Sequence, residues 1–238
     1  VALELLWGLC FLVSILPRWF RYYLLQPLVA GLLKLVGYRR AVITTNLQKS
    51  FPEKSESGIR KIRCGYYNTL AEVIVDTISL VRVTEKRQSD FIVWENSDEI
   101  LQKMKGKDWI AMAAHYGCWE YFPMWCWQDK NSDFVSVYHP LHSEVFECFY
   151  RRLRSFSENV RQIPMGEAVR FYLKNRGTGR NIVLGLVSDQ SPRLTADSYW
   201  HRFLNQDTIF NEGAELLAKK FRLPIYYAYI KRLARGKY

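Results

Sequence analysis

Histidine is scarce in this chain: four stand among 238 residues, at 115, 139, 142 and 201. None forms an HExxH pair, and His139-Pro140-Leu141-His142 has no acidic ligands at useful spacing, so no metal is expected. The five cysteines (10, 64, 118, 126 and 148) lack CxxC spacing and the density of a disulfide scaffold, which points to a reducing compartment. No GxSxG is present, and Gly177-Thr178-Gly179 lacks both a third glycine and a preceding strand, which argues against a serine elbow and a nucleotide cradle. A Cys118 nucleophile with His115 as its base is a weak reading, because nothing nearby marks a depressed thiol pKa. Internal repeats and low-complexity tracts are absent as well.

Acidic residues are also in deficit: 34 Lys and Arg against 23 Asp and Glu leave a net charge of +11. Such a surplus favours anionic partners, whether nucleic acid, phospholipid headgroups or an acidic carrier protein. No helix-turn-helix, RNP or zinc-finger pattern accompanies the charge, and the N-terminus is strongly apolar, so membrane and carrier outrank nucleic acid.

What the chain does have is apolar residues, 49% of the total, enough to bury one large domain. Leu5 to Leu16 is almost wholly apolar, Pro17 and Arg18 interrupt it, and Trp19 to Tyr38 resumes. A spanning helix needs about 20 apolar residues, more than the first run offers, so a helix lying in the interface fits equally. An ordinary helix packed on the domain is the plainer alternative. Residues 1–38 are therefore read as a membrane-anchoring helical segment and 39–238 as one catalytic domain. Val1 is not an initiator methionine and Tyr238 closely follows an apolar run, so both ends are read as cut, the C-terminus as truncated.

Tyr38 to Phe51 reads as a basic amphipathic helix stopped by Pro52, and Ser57 to Val83 as a long helix. Beyond Phe91, short apolar runs (Phe91–Trp94, Trp109–Ala114, Phe134–Tyr138, Ile182–Ser188, Ile225–Ile230) alternate with helical segments (Ser97–Met104, Cys118–Trp127, Ser143–Phe156, Gly166–Lys174, Asn211–Phe221). That alternation predicts an α/β fold: a mixed sheet flanked by helices, preceded by the apolar N-terminal segment.

His115-Tyr116-Gly117-Cys118-Trp119-Glu120 sets a histidine and a carboxylate at H-x4-E spacing just after an apolar run. On a continuous helix residues five apart diverge, so the pair converges only if the backbone turns, and Gly117 permits a bend. His115 is then expected at the carboxyl end of a strand, where open α/β sheets place their ligands. Asp189, in Ser188-Asp189-Gln190-Ser191-Pro192, ends a second apolar run and is expected on the same edge, either as a cleft residue or as a turn aspartate. Phe149-Tyr150-Arg151-Arg152-Leu153-Arg154 is a basic cluster suited to phosphate contact or to a solvated helix face.

Together these residues resemble the lipid A biosynthesis late acyltransferases, within the wider lysophospholipid acyltransferase-like group that carries an H-x4-D/E motif. Tyr38-Arg39-Arg40, then Asn46 to Glu53, His115 to Glu120, Asp189-Gln190, Phe203 to Thr208, Ala214 to Lys219 and Leu223-Pro224 follow the family's blocks in order. The chain departs from the family where His139 stands in Tyr138-His139-Pro140 in place of an arginine, and at Phe203-Leu204-Asn205. Histidine lacks the guanidinium fork, which leaves the acceptor open.

The resemblance implies a membrane-bound O-acyltransferase. It would move an acyl chain from an acyl carrier protein or coenzyme A thioester to a hydroxyl of a lipid A precursor or related glycolipid, without a cofactor. A lysophospholipid or aminolipid acceptor is the alternative, and a noncatalytic lipid-binding membrane protein is the alternative of another class. Under this reading His115 is the general base, Glu120 orients its ring, and Gly117, Asp189, Gln190, His139 and Arg151 line the substrate site. The implied location is the cytoplasmic side of the cell inner membrane.

Overall fold

A computed structural model describes all residues, 1–238. Its centre is a five-stranded sheet in the order β3-β2-β4-β1-β7, built from β1 (Trp109–Ala113), β2 (Ser132–Tyr138), β3 (Val160–Pro164), β4 (Asn181–Val187) and β7 (Ile225–Tyr227). Every pairing in it is parallel. The expected mixed sheet is thus corrected. Helical crossovers bring each strand back in the same direction, and the antiparallel strand pair is a separate hairpin of β5 (Trp200–Phe203) and β6 (Gln206–Ile209).

Burial on both faces explains why β1 and β4 read as continuous apolar runs. Trp109, Ala111 and Ala113 join Phe122, Trp125, Phe134 and Val183 on one face. Ile110 joins Val135, Ile182, Leu184 and Leu186 on the other, under α8 (Ala168–Asn175) and α9 (Gly213–Phe221). Gly185 is the residue that lets the sheet close up, since a Cβ there would lie 2.6 Å from the Phe134 ring.

The N-terminal third is helical, as expected. α1 (Ala2–Ile15) is followed by α2 (Arg18–Phe20), which runs through a π-helical turn (Arg21–Leu25) into α3 (Gln26–Leu35). α4 (Arg40–Ser50) and α5 (Glu56–Ser79) complete the group; the Ser55 side chain caps α5 by accepting from the Gly58 amide. α6 (Ser97–Met104) and α7 (Glu144–Arg154) flank the sheet.

No single helix is long and apolar enough to cross a membrane; Ala2–Ile15 and Arg18–Leu35 reach that length and composition only as a pair bent by 112°. Each half is two-faced. α1 packs through Cys10 and Trp7 onto Phe149 of α7, while Leu5, Leu9 and Leu12 stay exposed. The α2–α3 rod is hooked to α5 by polar groups: Tyr22 donates to Asp76 at 2.6 Å, Gln26 to the Asn68 carbonyl at 2.9 Å, and buried Arg21 to Ser79. Its opposite stripe, Leu24, Leu28, Leu32 and Leu35, is bare.

Three local readings differ from the sequence expectation. Phe91 to Trp94 is no strand of the sheet, because its backbone pairs instead with Tyr238, through Val93 N–H to the Tyr238 carbonyl and Tyr238 N–H to the Phe91 carbonyl. Trp119–Trp127 is a 3-10 helix, with Pro123 inside it supplying no amide for a longer ladder. The edge strand β3 and the hairpin were not expected at all.

Candidate active site

The sheet register builds the site. β1 and β4 are parallel neighbours with Ala113 opposite Val187, so His115 and Asp189 each lie two residues past paired strand ends. The chain therefore delivers the two side chains to one point on the carboxyl edge. The His115 amide donates to Asp189 Oδ2 at 3.0 Å, and Nδ1 lies 2.6 Å from Asp189 Oδ1. A carboxylate only accepts, so Nδ1 carries a proton, and in the neutral ring the lone pair is then on Nε2. Trp119 and the imidazole pack edge to face at a ring separation of 4.7 Å. The His115 side chain is still 27% exposed, so the pair is reachable from outside.

Glu120 is elsewhere. It accepts from Arg154 Nε at 2.7 Å and from Nη2 at 2.6 Å, a two-pronged pair in which the Glu120 side chain is 6% exposed. The expected ring-orienting contact from Glu120 is thus replaced by one from Asp189. The 3-10 turn that begins at Trp119 carries Glu120 inward beneath the loop, where α7 supplies the guanidinium. Burial alone would lower the Arg154 pKa, but the Glu120 carboxylate outweighs it and holds the group above its ordinary value. Tyr150 lies under the guanidinium at 5.0 Å.

Gly117 adopts φ = +60°, and a Cβ there would strike the Tyr238 ring. That ring's hydroxyl donates to Asp76 Oδ2 at 2.9 Å, which ties the loop after His115 to α5 through buried groups. Asp76 is fully buried and pushed up to about 6, chiefly by desolvation. The Cys118 thiol is driven well above its usual range by complete burial, which removes the thiolate a cysteine nucleophile needs.

The remaining expected residues are more dispersed. Gln190 is exposed just past Asp189. His139 follows β2 on the same sheet edge, but its Nδ1 approaches the Pro140 carbonyl at 3.1 Å and makes no bond to the His115–Asp189 pair. Arg151 is exposed on α7, its carbonyl accepting from Gln162 at 2.8 Å. The rest of its basic cluster is already engaged, Arg152 with Glu4 and Arg154 with Glu120. Arg154, Trp119 and Tyr238 carry parts of the site that the sequence reading did not assign.

The sequence matches the family described as bacterial lipid A biosynthesis acyltransferase over residues 3–238. The chain belongs to that family. Lipid A biosynthesis acyltransferases transfer an acyl group from a donor to a lipid acceptor, and the match takes in every element above, α1 and the hairpin included. No curated protein matches the chain. Within this acyltransferase the carboxyl edge of the sheet brings together a partly exposed imidazole and the carboxylate bonded to it, with the buried Glu120–Arg154 ion pair beside the same loop.

Proposed function

We propose that this acyltransferase moves a fatty acyl chain from an acyl carrier protein thioester, or its coenzyme A equivalent, to a hydroxyl of a lipid A precursor or related glycolipid. His115 is the general base and Asp189 its orienting partner. Nε2 takes the hydroxyl proton as the oxygen attacks the thioester carbonyl; the tetrahedral adduct collapses with cleavage of the C–S bond, and the imidazolium returns the proton to the leaving thiolate. Asp189 holds the productive tautomer and steadies the imidazolium, as the carboxylate does in a Ser-His-Asp triad. The Gly117 amide, in the loop two residues past His115, donates no backbone hydrogen bond and is assigned to the developing oxyanion.

One observation carries this reading, the 2.6 Å contact between His115 Nδ1 and Asp189. Glu120 serves through Arg154 as a positioning residue. The bare leucine stripes of α1 and α3 suit a protein seated in the membrane interface, here assigned to the cytoplasmic face of the inner membrane.

The test is expression of wild type and His115→Gln in a strain lacking its own late acyltransferase, with mass spectrometry of the lipids. The wild type should add one acyl chain to the lipid A fraction and the variant none. A chain gained by a lysophospholipid or aminolipid instead would move the acceptor, and unchanged activity in the variant would remove the base.

A further inference from the structure

We infer that Tyr238 is a positioning residue for acyl transfer, its ring fixing the Gly117 backbone so that the Gly117 amide meets the developing oxyanion. This role rests on the acyl-transfer reading above, in which Tyr238 has no part. The loop after His115 is held unevenly. The His115 amide donates to Asp189 and the Tyr116 amide to the Ala114 carbonyl at 2.8 Å, while the Gly117 amide has no backbone acceptor. What restrains Gly117 is packing. A Cβ on it would lie 2.3 Å from Tyr238 Cε1 and 2.8 Å from Cδ1, so the ring edge rests against the glycine's Cα. Only glycine leaves space for that edge, and the edge in turn leaves the left-handed peptide little room to rotate.

Tyr238 is itself held at both ends. Its backbone pairs with the segment after α5, Tyr238 N–H to the Phe91 carbonyl at 3.0 Å and Val93 N–H to the Tyr238 carbonyl at 2.8 Å. Its hydroxyl donates to Asp76 Oδ2 at 2.9 Å, and burial, aided by the Asp76 charge, holds the phenol above its usual value, so the donor keeps its proton. Asp76 is fixed in turn by Tyr22, which donates to Oδ1 at 2.6 Å from the α2–α3 rod. The Tyr121 ring closes a further side, edge to face at 5.9 Å. A buried carboxylate is a costly way to hold one phenol, since an apolar side chain of similar volume would pack there without it. Stability alone therefore does not account for the arrangement, whereas a fixed ring position beside Gly117 does.

An oxyanion donor must point at the place where charge develops, and a shift on the order of 1 Å costs about 10²-fold in rate. Tyr238 acts through Gly117, so its loss should lower kcat and leave the His115–Asp189 pair as it is.

Steady-state transfer by the whole chain, with the thioester and lipid that the wild type converts and each variant normalised to its folded fraction, tests the role. Tyr238→Leu, which removes the ring, should lower kcat about tenfold to a hundredfold, with KM within about twofold and the pH–rate profile unshifted. Tyr238→Phe, which keeps the ring and loses only the hydroxyl, should hold kcat within about threefold of wild type. Should the leucine variant fail to fold, Tyr238→Met carries the same expectation, because it keeps more of the buried volume and still has no ring to set against Gly117. Wild-type kcat in the ringless variant overturns the assignment, as does a loss expressed only in KM, or a phenylalanine variant as impaired as the ringless one. A displaced pH–rate profile also overturns it, because the ring would then be acting on the imidazole. The two readings fail separately: undiminished transfer by His115→Gln removes the base, whereas an inactive His115→Gln beside a fully active Tyr238→Leu removes only the positioning role.

Discussion

Two carboxylates lie near His115 and do different work. Asp189 is 74 residues away in sequence, partly exposed, and bonded to the imidazole. Glu120 is five residues away, almost wholly buried, and bonded to Arg154. Sequence proximity favours Glu120, while the β1–β4 register favours Asp189. A motif that specifies residue spacing need not specify which pair of side chains meets. Here the 3-10 turn after Gly117 sends the nearer carboxylate downward and leaves the ring to the one on the adjacent strand.

The contrast is broken most sharply at the histidine. His115→Gln should reduce the transfer rate by about 10²- to 10⁴-fold, the usual contribution of a positioned base, with the thermal melting temperature unchanged. Glu120→Ala should act on stability instead: stranding the Arg154 guanidinium in its buried site should cost about 3–5 kcal/mol in a denaturant melt. Replacing both partners, as in Glu120→Met with Arg154→Met, should recover most of that loss. A Glu120→Ala variant that melts like wild type but is inactive would return Glu120 to the chemistry.

Asp76 offers a smaller and pH-dependent effect. Its folded pKa of about 6 lies above the ordinary carboxylate value, so the folded state binds the proton more tightly. Its contribution is full below about pH 4 and lost as pH rises through about 6, a change of about 3 kcal/mol. Asp76→Asn should flatten that part of the stability–pH curve. Smaller still, Gly117→Ala should lower stability by about 1–3 kcal/mol, since alanine disfavours the left-handed backbone and its methyl meets the buried Tyr238 ring.

How much of this was readable in the chain depended on whether the signal was local. β1 and β4 were legible because strands buried on both faces leave unbroken apolar runs. β3 was not, since its sequence Val-Arg-Gln-Ile-Pro is that of an edge strand with one face wet. The β5–β6 hairpin turns at Leu204-Asn205, both at positive φ, without the glycine that usually announces such a turn. His115 and Asp189 could be placed on one sheet edge from their strand ends, but their bond required knowing that β1 and β4 are neighbours. The Glu120–Arg154 pair spans 34 residues, and nothing in a basic helical stretch distinguishes a guanidinium turned inward from its solvated neighbours.

The two-faced N-terminal helices follow the same logic. Their apolar character was plain, whereas the polar hooks of Arg21, Tyr22 and Gln26 onto α5 became visible only once the rod was seen to bend 112° from α1.

The most direct measurement compares single-turnover acyl transfer by Asp189→Asn and Glu120→Gln, each normalised to its folded fraction, across the pH range in which imidazole titrates. Asp189→Asn should lose most of its rate and alter the pH dependence of transfer, while Glu120→Gln should keep a near-wild-type rate and profile per folded molecule. The opposite result, with Asp189→Asn active and Glu120→Gln silent though folded, would contradict the assignment of Asp189 to the ring.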